Sequence, residues 1–158
     1  MQKKNIKEIY VECLVLFVGI VYLLAQIDSL FSIGSTTVTG DTVQISKNEI
    51  LSHVRSIITI FFCFAGGILL IKHRRTGWIL SQAILLLLLT ILSGIFFSNI
   101  SFLNISAIIL VIGMFLLLLA IYFLVGKDTR QKFSITWKSY LLVLLLFASL
   151  AAFYFLLQ

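Results

Sequence analysis

A chain of 158 residues is short enough for one domain, but 61% apolar and only 11% charged residues depart far from the roughly half and quarter of soluble proteins. Such a composition excludes a soluble globular domain. The net charge of +6 does not indicate a nucleic-acid partner, because in a membrane chain the placement of basic residues carries more information than their sum.

The first apolar run, 9–27, follows Lys3, Lys4 and Lys7. It is too long for a signal-peptide core and lacks a convincing small-x-small cleavage site, so it is expected to stay as a first span. The 28–46 connection holds the one segment with strand character, Thr36–Thr39 and Thr42–Ile45 around Gly40-Asp41, a plausible two-residue hairpin turn. An isolated hairpin is marginal in water, so an ordered loop is the equal alternative.

The second helix is expected over 47–71. Ser46 and Glu49 are spaced as a capping box, and Ile50, Leu51, Val54, Ile57 and Ile58 keep helical spacing from that start. Its first two turns project beyond the hydrocarbon. Spans at 78–97, 107–125 and 140–157 follow, each near the roughly 20 residues needed to cross. Trp78, Trp137 and Tyr140 stand beside basic residues at the ends of runs, where amphipathic rings favour the water–lipid boundary.

Orientation follows from the short connections. Lys3, Lys4, Lys7, then Lys72, Arg74, Arg75 in 72–77, then Lys127, Arg130, Lys132, Lys138 in 126–139 all fall on one side of a five-span chain; Lys47 and Arg55 alone fall on the other. Positively charged segments resist translocation, which predicts a cytoplasmic N-terminus and an outside C-terminus. The short outer connection 98–106 carries two N-glycosylation patterns, at Asn99 and Asn104, expected to be unused so close to the membrane. The expected fold is therefore all-α: one polytopic transmembrane domain over 1–158, a bundle of five helices.

Chemistry-bearing residues are few. Glu12 lies about one turn into the first run and is read as a boundary ion pair with Lys7, Lys72 or Arg75. Asp28, Glu49, His53 and Arg55 gather at the outer ends of the first two helices, and are read as a solvated cluster rather than a metal site. No catalytic residue, metal or cofactor is expected, since no nucleophile–base set, phosphate loop or metal spacing is visible.

Small residues are more informative, because they let membrane helices approach closely. Cys63, Gly66 and Gly67 on the second helix, Gly94 on the third, and Ala148 and Ala152 on the fifth are the expected packing positions, with Gln82 as an interhelical hydrogen-bonding residue. Gln82, Thr90 and Ser93 share modest polarity along the third helix. Lys72, Arg74, Arg75, Lys127, Arg130 and Lys132 are expected to face anionic headgroups.

These features favour a small non-catalytic membrane protein, an accessory or scaffold subunit whose partners are the bilayer and other membrane subunits or copies of itself, with no nucleic acid. A homo-oligomeric pore, as effector or immunity partner, is the alternative, lined by Gln82, Thr90 and Ser93. A solute transporter with a helix broken at Gly66-Gly67 is third. The lack of proline and the compact connections suit a multi-pass protein of a bacterial cytoplasmic membrane, with an organellar membrane as the alternative.

Overall fold

A computed structural model describes the backbone of residues 6–37, 47–98 and 105–156, and the side chains of 6–31, 50–98 and 107–156. The described residues form α1 (Ile6–Thr37), α2 (Lys47–Ile71), α3 (Arg75–Ser98), α4 (Ile105–Val125), α5 (Lys127–Lys132) and α6 (Trp137–Leu156). All but α5 are long and apolar enough to cross a membrane. In hydrocarbon every backbone N–H and C=O must be satisfied within the protein, and a proline-free apolar run does so as a helix.

Several boundaries depart from the sequence reading: α1 runs on past Ile27, α3 begins at Arg75 and α6 at Trp137. α1 has 32 residues, about 48 Å at the usual rise, well beyond a hydrocarbon core of roughly 30 Å. Its apolar span, Ile6–Phe31, continues past Ile27 because nothing after it breaks the helix. Thr36 and Thr37, read above as the start of a hairpin strand, end this helix; the rest of that hairpin and the capping residue Ser46 lie outside the described residues, as do 99–104. The connection 126–139 is also more ordered than its polarity suggests, since it contains α5.

α3 is the hub. It packs against α2, α4 and α6, while α1 lies along α2 and closes on α4. Trp78, Ser81, Gln82, Ala83, Ile84, Leu85, Leu87 and Leu88 are all buried on α3, whereas α6 buries only Ser139, Val143 and Leu150.

The turns after α2 and α5 use one device. After α2, Arg74 N–H donates to Leu69 C=O and His73 N–H to Leu70 C=O; after α5, Ile135 N–H donates to Arg130 C=O and Ser134 N–H to Gln131 C=O. This is the Schellman closure, which needs a left-handed residue just past the helix end. His73 (φ 52°) and Ser134 (φ 50°) supply it without glycine.

Candidate functional site

Membrane helices associate through close packing and interhelical hydrogen bonds, so the positions of polar and small side chains define what each end of the bundle can do. At the end of the bundle where α3 begins, Trp78 is completely buried, and its Nε1–H donates to Leu124 C=O at 2.9 Å. That carbonyl belongs to the last turn of α4, where no helical N–H remains to satisfy it. The ring meets Tyr140 edge to face at 5.3 Å. Trp78 is therefore an internal bolt between α3, α4 and α6 and not a lipid-boundary ring as its place beside Arg75 suggests; Trp137, 76% exposed, keeps the boundary position.

The basic residues of this end divide by role. Lys72, Arg74 and Lys127 are exposed, and Arg130 is half-buried. Arg75 instead donates Nε–H to Ser139 Oγ and Nη2–H to Thr136 Oγ1, both at 2.9 Å, and ties the start of α3 to the start of α6. Lys132 forms an ion pair with Glu8, joining α5 to α1. Glu12, the carboxylate singled out from the sequence, is buried one turn further in. Glu8 was legible only as an acid in the first turn of a helix; its partner is 124 residues away. The pair is 13% and 8% exposed, so Glu8→Gln leaves Lys132 without its counter-charge and is expected to lower stability by about 2 kcal/mol. Glu8→Gln combined with Lys132→Gln recovers part of that loss; a double variant whose loss equals the sum of the singles contradicts the coupling, read by denaturant titration in detergent.

At the opposite end of the bundle, Gln26 of α1 and His53 of α2 share a hydrogen bond. Arg55 lies 5.1 Å over the Tyr154 ring of α6, and Thr59 Oγ1–H returns to Arg55 C=O at 2.9 Å. These contacts close α1, α2 and α6 over the apolar interior. Asp28 is exposed, and the Glu49 side chain lies outside the described residues. Among the described residues, no group of three His, Cys, Asp or Glu side chains is placed to hold a metal ion.

The expected packing residues fall in two sets. Those of α2 are used within the chain: a Cβ on Gly19 of α1 would stand 3.0 Å from Cys63, one on Gly66 would stand 3.1 Å from Ser81 Oγ, and one on Gly67 would stand 2.7 Å from Leu16. α2 runs unbroken through Gly66-Gly67. Gly94, by contrast, has no side-chain neighbour within 4 Å, and Ala148 and Ala152 are exposed.

Gln82 is buried inside the bundle. Thr90 Oγ1–H bonds Leu86 C=O at 2.9 Å and Ser93 Oγ–H bonds Thr90 C=O at 2.8 Å, so both hydroxyls return to their own helix. A cleft of about 240 Å³ between α1, α3 and α4 is walled by apolar side chains such as Phe17, Val21, Leu88 and Leu92. Comparison with protein-family models, curated proteins and solved structures yields no significant match for this chain.

Proposed function

We propose that this protein is a non-catalytic subunit or scaffold of a membrane protein complex. In this reading it resides in a bacterial cytoplasmic membrane, with the basic connections and N-terminus inside and the C-terminus outside. The observation that carries the reading is the outer face of α6. Ala148, Ser149 and Ala152 are exposed there, on a helix whose principal neighbour is α3 alone. The small residues of α2 are consumed by packing inside the chain, whereas those of α6 leave a shallow surface on which a second helix can approach closely.

The test is native mass spectrometry after mild extraction from the host, comparing the natural chain with A148L/A152L. The expected result is a stoichiometric assembly, with another subunit or a second copy, that the double variant loses while its own melting temperature is unchanged. A monomer that conducts ions in liposomes, and stops when Thr90 and Ser93 are replaced by bulky residues, contradicts the reading and makes the protein a pore.

A further inference from the structure

Where α4 gives way to α6, a surface groove of about 490 Å³ is lined by Lys127, Arg130, Gln131, Ser134, Ile135 and Thr136. Its charge is one-sided. Glu8 is engaged by Lys132, and Asp128 is exposed on α5 without lining the groove. Neither Lys127 nor Arg130 makes an ion pair among the described residues. A third cation stands behind the wall, since Arg75 donates to Thr136 Oγ1. The left-handed Ser134 and the paired hydrogen bonds that close α5 hold the chain in this bend, so the groove is shaped before any ligand arrives.

The groove also sits at a defined depth. Val125 ends one span and Trp137 opens the next, which places Lys127 and Arg130 at the level of lipid phosphates. Tyr122 and Val125 near the end of α4 and Leu141 and Leu144 near the start of α6 are exposed apolar or amphipathic surface, and Ile135 brings apolar character into the groove itself. A soluble phosphate has no use for such a flank; an acyl chain does. Lys72 and Arg74 are also exposed, on the neighbouring turn, and neither lines this groove.

We propose that this groove is a specific site for an anionic phospholipid, its phosphate held between Lys127 and Arg130 with hydroxyl donors from Ser134 and Thr136, and its acyl chains lying along α4 and α6. Charge-assisted contacts to phosphate favour anionic over zwitterionic headgroups.

The experiment is native mass spectrometry of the full chain in detergent, titrated with phosphatidylglycerol, phosphatidylcholine or inorganic phosphate. Phosphatidylglycerol is expected to be retained in preference to the other two. K127Q/R130Q weakens its retention by about thirtyfold, the loss of roughly two phosphate contacts near a membrane surface, whereas K72Q/R74Q leaves it unchanged and K127R/R130K restores it. Equal retention of both lipids, equal weakening by both glutamine variants, or phosphate binding as tight as the lipid's would overturn the proposal.

Discussion

Gly77→Ala is expected to destabilise the bundle by about 3 kcal/mol, the upper end of what overpacking usually costs. A Cβ at this position would stand 2.3 Å from the Leu69 carbonyl carbon, 2.4 Å from Leu70 N and 2.7 Å from Leu69 O. Those are backbone atoms in the last turn of α2, locked by the closure at His73 and unable to step aside as a side-chain tip does. Relief requires α3 to move off α2, and α3 carries the packing of α2, α4 and α6 together. Gly94→Ala is the control on the same helix: with nothing within 4 Å, the added methyl is neutral or stabilising by a few tenths of a kcal/mol through helix propensity. Unfolding by denaturant titration in mild detergent reads both. Equal stability of G77A and the natural chain contradicts the α2–α3 contact.

The second large effect is at Trp78. Trp78→Ala empties the fully buried junction of α3, α4 and α6 and is expected to cost about 3 to 5 kcal/mol, the range for large aromatics in close-packed interiors. Trp78→Phe keeps most of the volume but leaves Leu124 C=O without its donor, an expected loss of about 1 to 2 kcal/mol. A boundary ring facing lipid would behave differently, with small losses for alanine and smaller ones for phenylalanine. The ordering of the two variants therefore separates a bolt from an anchor, and the unfolding midpoints of the three proteins measure it.

Trp78 also marks where sequence reasoning stops. Lipid and protein interior are equally apolar, so hydropathy locates spans without telling which face of each looks inward. The five spans were legible because each must supply its own backbone hydrogen bonds over a fixed thickness, and the first turns of α2 were legible in the helical spacing of Ile50, Leu51, Val54, Ile57 and Ile58. Trp78 and Trp137 both sit at the start of a run beside basic residues; one is buried and the other exposed, a difference set by α4 and α6 and absent from local pattern. The Glu8–Lys132 and Gln26–His53 pairs were hidden for a related reason, since each joins residues far apart in sequence. Gln26 alone gave a signal, as a lone amide in an apolar run that must find a partner. α5 was missed because six polar residues carry no periodicity to read.

What all these readings share is a chain threaded five times through a bilayer. Epitope tags placed at the two chain ends, probed with antibody before and after the membrane is permeabilised, test it directly. Five crossings predict opposite compartments, with the tag beside Lys3 and Lys4 on the same side as a cysteine introduced at Lys127. Both ends in one compartment would contradict the threading.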